Sequence, residues 1–309
     1  MKVHSEARLL FLGLCTLKGI GFDSLRKIGG IAGIDRLLTT GSDTDSVPLI
    51  SRSLIGTERD ATLAAGIRLF QELERNGIEV VGEDDDIYPK AFAAMPTALR
   101  PLWFFVRGNS KLLQEPGIAV VGTRRSTDVG EFLARYATSV ISELGCPLVS
   151  GLALGIDSIA HQWSVMACSP NISVLGTGIR RTYPAKHDTL ADQILDNGGV
   201  LISEYLPDAP PTGESFVWRN RLQAALSACV VAPEWKRSSG TAHTIRFAER
   251  LGKSTVNLCV DGLILPEDHG VAKISFDIPS QHTAFRDHLA TKLSGNASPQ
   301  PVTQQRLFG

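Results

Sequence analysis

Strict alternation of short apolar segments and amphipathic helical segments runs from residue 117 to residue 260. Apolar strands that alternate with helices predict a parallel sheet covered on both faces, with right-handed crossovers. We therefore expect an α/β, extended Rossmann-like domain with a mostly parallel sheet. The predicted strands are 118–121, 148–149, 172–175, 200–202, 229–231 and 255–259, and the predicted helices are 132–144, 156–166, 190–197, 219–226 and 241–251.

One crossover contains a glycine turn in which Gly151 and Gly155 let the backbone approach whatever lies on the turn. Asp157 and His161 follow four residues apart, on one face of the next helix. A hydrolase interpretation makes Asp157 or Glu204 a base and His161 an acid. The alternative is that Asp157 caps the helix and His161 hydrogen-bonds a neighbouring loop. We favour this alternative because no nucleophile or metal-ligand set accompanies the pair.

Basic residues follow several of the predicted strands. In an open parallel sheet, ligands bind at the carboxyl ends of the strands, where helix N-termini add partial positive charge. The formal net charge of the chain is −1 at pH 7, so the cations are clustered locally. Such clustering predicts binding to several phosphates. The nine cations are Arg124, Arg125, Arg180, Arg181, Lys186, Arg219, Arg221, Lys236 and Arg237.

Other residues at the same edge suit a nucleotide or a nucleic acid. The Ser239-Gly240 turn before a helix predicts a site for one phosphate. A dinucleotide fingerprint begins at Gly176 but lacks its third glycine, and no P-loop sequence occurs. Four aromatic residues among the cations suit stacking on unpaired bases, or else belong to the core or an interface. They are Tyr183, Phe216, Trp218 and Trp235.

The segments on either side of this domain differ in character. Residues 1–75 show helical spacing and are expected to form a small helical domain. Its LKGIGFDSL segment is similar to a helix-hairpin-helix, whose turn either binds a phosphate or is an ordinary glycine turn. Short strands at 78–81 and 102–106 begin the sheet domain, which we place at 76–265. Residues 266–309 are expected to hold a short helix, a flexible linker and a C-terminal tail.

Composition favours an intracellular protein without metal. The five cysteines are widely spaced and include no CxxC pair, which favours reduced thiols in the cytoplasm and argues against a zinc site. No apolar run is long enough to span a bilayer, and no secretion signal is evident. We expect no cofactor.

Seven motifs in order resemble the DNA-processing protein A family (DprA, also called Smf) between Tyr88 and Val260. The resemblance implies an extended Rossmann fold that binds single-stranded DNA without known catalysis, and a homodimer. It also implies that the protein helps load a RecA-type recombinase on incoming strands in natural transformation. The motifs are DIYPKAF, VVGTRRSTDVG, SGLALGIDSIAH, VLGTGIRRTYPAKH, LISEYLPDAPP, FVWRNRLQAALS and PEWKRSSGTAHTIRFAERLGK.

Carried over by position, the resemblance assigns DNA contacts to the same edge that the basic residues mark. The matching residues are Gly122, Thr123, Arg124, Lys186, Arg219, Asn220, Arg221, Glu234, Ser239 and Gly240. Departures from the family pattern are His187 in place of an Asn, Pro233 before the Glu, and Asn257-Leu258-Cys259 at the end of the last strand. The segment after Val260 is expected to be too short for the winged-helix module of many relatives.

Two rival functions stay open. The fold is similar to that of the nucleoside-monophosphate phosphoribohydrolases of the LOG type, whose signature ends Gly-Thr-x-x-Glu. In this chain Ala242-His243-Thr244 follows Gly240-Thr241, so the catalytic Glu is missing. A nucleotide-sensing defence protein is the other rival.

The tail carries a short motif of its own. Gln304, Leu307 and Phe308 form a Gln-x-x-Leu-Phe pattern that resembles the peptide by which bacterial replication and repair proteins bind the DNA sliding clamp. Two apolar side chains on an exposed linker suit an apolar pocket on such a partner.

Overall fold

The computed structural model describes residues 5–40 and 47–295. Within them, one sheet has the strand order β1-β2-β6-β5-β4-β3-β7-β8-β9. The pairs β1–β2 and β2–β6 are antiparallel and the other six are parallel. The strands are β1 (Ile78–Gly82), β2 (Trp103–Gly108), β3 (Gly117–Val120), β4 (Leu148–Ser150), β5 (Asn171–Val174), β6 (Val200–Ser203), β7 (Ser227–Ala232), β8 (Ser254–Val260) and β9 (Ile274–Ile278).

Helices cover both faces of the sheet. The helices are α1 (Glu6–Leu14), α2 (Phe22–Lys27), α3 (Gly30–Thr40), α4 (Pro48–Ser53), α5 (Gly56–Arg75), α6 (Lys90–Ala93), α7 (Asp128–Glu143), α8 (Ile156–Met166), α9 (Asp188–Asp196), α10 (Gly213–Ala225), α11 (Gly240–Arg250) and α12 (His282–Gly295). One face packs against α6, α10 and α11. The opposite face packs against α7, α8 and α12 toward β8, and against α9 and the N-terminal helices toward β1.

The predicted α/β class and mostly parallel sheet are confirmed, with one strand more than expected. The sequence predicted no strand after Val260, and that was wrong: β9 pairs with β8 along five residues. Its sequence Ile-Ser-Phe-Asp-Ile alternates in burial, as an edge strand does, and lacks the continuous apolar run that marked the inner strands. The short helix expected after residue 266 is α12, which buries Phe285 and Leu289.

The N-terminal helices share a core with the sheet. Trp103 of β2 is fully buried and lies 5.1 Å from Phe11 of α1 and 5.5 Å from Phe22 of α2, ring centroid to ring centroid. An ion pair of 2.6 Å joins Arg8 to Asp85 across the same junction. The boundaries at 75 and 265 stay predictions.

Three further sequence-based expectations concern the C-terminal tail, membrane-spanning helices and the cysteines. Gln304, Leu307 and Phe308 lie outside the described ranges, so the tail motif stays a prediction. In the described part of the chain, no helix is long and apolar enough to cross a membrane. Its five cysteines are all free thiols.

Helices α1 and α5 cross at two glycines. A Cβ on Gly66 would lie 1.8 Å from the carbonyl oxygen of Leu9, and a Cβ on Gly13 would lie 2.0 Å from that of Thr62. Both obstacles are backbone atoms, which cannot rotate away as a side chain would. The close packing of α1 against α5 therefore requires glycine at positions 13 and 66.

Gly66→Ala should lower the free energy of unfolding by about 2 kcal/mol, because overpacking of about 1–3 kcal/mol exceeds the gain of up to about 1 kcal/mol in helix propensity. Chemical denaturation measures the change. Gly213→Ala is the control, since Gly213 is also helical and its Cβ would meet nothing within 4 Å; we expect it to stay within about 0.5 kcal/mol of the parent protein. Equal stability of the two variants would contradict the packing argument.

Candidate functional site

The strand order reverses at β3, and at the carboxyl edge of such a switch point an open α/β sheet forms a crevice between its loops. From β3 the chain proceeds outward through β4, β5 and β6, and then returns to β7 on the other side. Loops that leave neighbouring strands in opposite directions leave space for a ligand. Glu234 after β7 joins the two sides: its carbonyl accepts from Thr123 N at 2.8 Å, and its carboxylate accepts from Thr127 N at 2.9 Å.

The glycine turn after β4 packs directly on the loop after β3. Gly155 has a φ of 73°, in the left-handed region, and a Cβ there would lie 2.2 Å from Thr123 O. The N–H of Ile156 donates to that same oxygen at 3.2 Å. The turn therefore supports the segment that carries Arg124.

A cation and two aromatic rings meet at the mouth of the crevice. The guanidinium carbon of Arg124, an exposed residue, lies 5.0 Å from the centroid of the Phe216 ring. The Phe216 ring lies 5.4 Å from that of Tyr183, which is 45% exposed. Gly176 has no side chain to obstruct Phe216, since a Cβ there would lie 2.5 Å from the ring. We call Arg124, Tyr183 and Phe216 the rim cluster.

Below the rim cluster lies a buried pair of opposite charges. Arg219 of α10 and Asp157 of α8 are 3% and 6% exposed. Arg219 donates to Val174 O at 2.7 Å, and Asp157 accepts from Gly151 N at 3.1 Å. Burial raises the pKa of Asp157, opposed first by Arg219, whereas burial lowers the pKa of Arg219 to about 10, opposed by Asp157. These charges hold the loops after β3, β4 and β5 together under the rim.

The expectation that Arg221 lies at the phosphate-binding edge was wrong. Its side chain is fully buried and pairs with Glu204 at 2.5 Å, and its Nε donates to Leu99 O at 2.7 Å. Arg219 and Arg221 are two residues apart, which places them about 200° apart around α10. One helix cannot present both to the same ligand.

Asn220 and the Ser239-Gly240 turn contact each other. The amide of Asn220 donates to Gly240 O at 3.1 Å and so ties α10 to the start of α11. The Ser239 Oγ is buried without a hydrogen-bond partner, and Gly240 is exposed. Gly122, which precedes Thr123, leaves room for Ile156 and Glu234.

The remaining predicted cations divide into two groups. Arg180 is ion-paired with Glu72 and Asp208, and Lys236 pairs with Asp268 at 2.6 Å. Arg237 donates to His269 O at 3.2 Å. The other four predicted cations are exposed, and within residues 5–40 and 47–295 their side chains have neither a carboxylate within 4 Å nor a hydrogen-bond partner: Arg124, Arg125, Arg181 and Lys186.

Two of the four aromatic residues do not serve as open stacking surfaces. Trp235 is 4% exposed, donates to Asn257 Oδ1 at 3.0 Å and packs on Gly270, so the stacking interpretation was wrong for it. Trp218 lies against Arg221, whose guanidinium carbon is 4.0 Å from the ring centroid. The Trp235 contacts have no local sequence signal, because Asn257 and Gly270 are distant in the chain. Trp218 and Arg221 are three residues apart on one face of α10, so helical spacing could have indicated their contact.

His161 is buried and neutral in the fold. Its Nδ1 lies 2.6 Å from Asn171 Oδ1 on β5, so its partner is a strand residue and not the loop we expected. Burial lowers its pKa from 6.5 to about 4. Asp157 accepts from the β4 turn, and the N-cap of α8 is Gly155. In the described part of the chain, no group of three His, Cys, Asp or Glu residues could hold a metal ion.

Between pH 7 and pH 4, the free energy of unfolding should fall by about 3 kcal/mol because of His161 alone. The unfolded imidazole takes up a proton near pH 6.5, whereas the folded one does so only near pH 4. Stability from this group is therefore present above pH 6.5 and lost as the pH falls. His161→Gln should remove that part of the slope in denaturation curves across pH; an unchanged slope would disprove it.

Comparison with known proteins places this geometry in a family. Residues 79–273 match the model of DNA recombination-mediator protein A. The chain is 34% identical to Protein Smf of Escherichia coli over 186 residues, 60% of this chain and 49% of that protein. It is 36% identical to DNA processing protein DprA of Streptococcus pneumoniae over 183 residues, 59% of this chain and 62% of that protein. The chain thus spans about half of the length of some curated relatives.

Two solved structures share the fold. DprA from Streptococcus pneumoniae has a TM-score of 0.60 at 25% identity, over 97% of this chain and all of that one. DNA processing protein A from Helicobacter pylori, studied for its single-stranded DNA binding mode, has a TM-score of 0.56 at 25% identity, over 71% of this chain and 96% of that one. With the family model covering well over half of its length, this chain belongs to the DNA recombination-mediator protein A family, also known as DprA or Smf.

Proposed function

We propose that this chain is a non-enzymatic protein that binds single-stranded DNA at the rim cluster and protects incoming or processed strands. One observation carries the proposal: Arg124 of the loop after β3, Tyr183 of the loop after β5 and Phe216 of α10 meet at the carboxyl edge of the sheet. Aromatic rings stack on unpaired bases of any sequence, and cations neutralise the backbone between them. The single-stranded DNA binding of the Helicobacter pylori relative supports the same ligand.

Phosphates would be held by the four predicted cations whose side chains have no ion-pair or hydrogen-bond partner in the described part of the chain. Arg124 and Arg125 lie on the loop after β3, and Arg181 and Lys186 lie on the loop after β5. These loops flank the crevice, so a strand that crosses the rim cluster would meet cations on both sides. Arg180, Lys236 and Arg237 would join only after releasing their present partners.

Arg219, Asn220 and Arg221 would act beneath the ligand. Their polar groups are committed to Val174, Gly240 and Glu204. They would hold α10 in place so that Phe216 faces the strand.

A hydrolytic role for the same edge has less support. Asp157 is committed to the β4 turn and His161 is fully buried beside Asn171. The signature Glu of the LOG-type enzymes is replaced by Thr244. Turnover of a nucleoside monophosphate by the purified protein would nevertheless favour the enzyme, and binding of mononucleotides alone would favour nucleotide sensing.

Removal of phosphate contacts should change the salt dependence of binding. Single-strand affinity falls with salt by a slope of about 0.7 per neutralised phosphate in a log–log plot. Arg124→Ala with Lys186→Ala should therefore lower the slope by about 1.4 and weaken binding. Fluorescence anisotropy with labelled oligonucleotides across a salt series measures both quantities, with duplex DNA and mononucleotides as competitors.

Lys111→Ala is the control for that experiment. Lys111 is exposed and lies between the end of β2 and the start of β3, at the sheet edge opposite the crevice. It should change the slope by less than about 0.2. A double variant with the parent slope, or a Lys111 variant with an equal loss, would refute the rim as the binding site.

We extend the proposal to the partners that the resemblance to the family implies. The protein would act in the cytoplasm as a homodimer and would help load a RecA-type recombinase in natural transformation or another recombination pathway. Recombinase filament formation on DNA coated with single-strand binding protein, with and without this protein, tests the loading role.

The Gln304–Phe308 motif would add the DNA sliding clamp as a partner. Truncation after Thr303 should abolish binding to the clamp in surface plasmon resonance, because it removes Leu307 and Phe308. Single-strand binding serves as the internal control and should stay within about twofold of the full chain. Equal affinity of the full chain and the truncated chain for the clamp would exclude the tail as the clamp-binding segment.

A further inference from the structure

Two residues of the short N-terminal helix α2 contact the dipeptide Glu204-Tyr205, directly after β6. Phe22 and Arg26 are four apart and therefore lie on one face of α2. The Phe22 ring lies 5.0 Å from the Tyr205 ring, and Arg26 Nη1 lies 3.3 Å from Glu204 Oε1. The helix-hairpin-helix-like turn thus precedes a helix that faces the sheet domain.

Each of these contacts continues to α10. The hydroxyl of Tyr205 donates to Ser215 O at 3.0 Å, in the first turn of α10. The other carboxylate oxygen of Glu204 accepts from Arg221, one and a half turns further along. Helix α10 is therefore held at two points by residues that α2 supports.

Trp218 adds a third contact between the same elements. Its ring centroid lies 4.0 Å from the guanidinium carbon of Arg221 and 5.4 Å from that of Arg26. Two guanidinium groups thus share one indole and one buried carboxylate. Arg26 also donates to Arg100 O and Ala98 O, each at 2.9 Å, which fixes it on the sheet side.

We propose that Arg26 is a positioning residue: it sets the placement of α10 and so the orientation of Phe216 in the rim cluster. The affinity part of this inference rests on the proposed single-strand binding. Arg26 does not reach the crevice, since its hydrogen bonds go to Glu204 and to two carbonyls before β2. Arg26 would affect DNA binding indirectly: its contacts with Glu204 and Trp218 hold α10 in position.

The chain offers a matched control in Arg8. Like Arg26, it is a partly buried arginine of the N-terminal helices that pairs with a carboxylate of the sheet domain, at 2.6 Å from Asp85. Asp85 lies after β1, at the far side of the sheet from β3, and within the described residues neither Arg8 nor Asp85 has a hydrogen bond or ion pair to α10. Both Arg26→Ala and Arg8→Ala weaken the contact between the N-terminal helices and the sheet. Only Arg26→Ala should change the position of α10.

Arg26→Ala should weaken oligonucleotide binding about 3- to 10-fold while leaving the salt slope at the parent value. Arg8→Ala should leave both unchanged. A slope reduced by about 0.7 in Arg26→Ala would overturn the proposal, because it would mean that Arg26 touches a phosphate itself. Affinity equal to that of the Arg8 variant would overturn it as well.

A second readout does not depend on DNA. Hydrogen exchange of the α10 amides between residues 216 and 220 should be about 3- to 10-fold faster in Arg26→Ala than in Arg8→Ala. If the parent protein binds no single strands, the proposed function fails, and this exchange difference alone decides whether Arg26 positions α10. Arg221 and Glu204 remain paired in the variant, which preserves the fold. Should Arg26→Ala nevertheless unfold, Arg26→Lys, which keeps the charge but loses the forked donor, takes its place in both measurements.

Discussion

The burial of two arginines on opposite sides of one helix determines the placement of α10. Removing one partner from a buried ion pair costs about 3–5 kcal/mol, so each guanidinium must reach its own acceptors. Arg219 finds them at the end of β5, and Arg221 finds them at Glu204 after β6. A helix restrained in this way can neither slide nor rotate by a residue. Phe216, which has only a glycine beneath it, is held at the mouth of the crevice by the same restraint.

This arrangement separates charge that supports the fold from charge that faces solvent. The chain carries 31 basic and 32 acidic residues, so no general field attracts a polyanion. Attraction has to come from local groups of cations, and Arg124, Arg125, Arg181 and Lys186 form such a group on the loops after β3 and β5. Cations with acidic partners, such as Lys236 beside Asp268, contribute less to that local field because the pair is nearly neutral at a distance.

The N-terminal helices belong to this arrangement through their contacts with Glu204 and Tyr205. A separate helical domain joined by a linker would move freely relative to the sheet. In this protein the two parts share Trp103 and the carboxylate of Glu204, and Glu204 also pairs with Arg221 of α10, the helix that carries Phe216. The contacts of the N-terminal helices with the sheet are therefore connected to the rim cluster through α10.

The sequence by itself determined the class of fold and the edge of the sheet at which we propose the site. Apolar strands and amphipathic helices leave a periodic signal, and the loop residues of a parallel sheet necessarily meet at its carboxyl edge. It did not determine which polar side chains face a ligand. The sequence does not distinguish Arg219 from Arg221, yet Arg221 is fully buried. It also does not indicate that Arg26 contacts Glu204, which is 178 residues away. The tertiary structure decided these roles, because burial depends on helix rotation and on partners brought together only by folding. For the same reason β9, an edge strand with alternating burial, was recognisable only once β8 was there to pair with it.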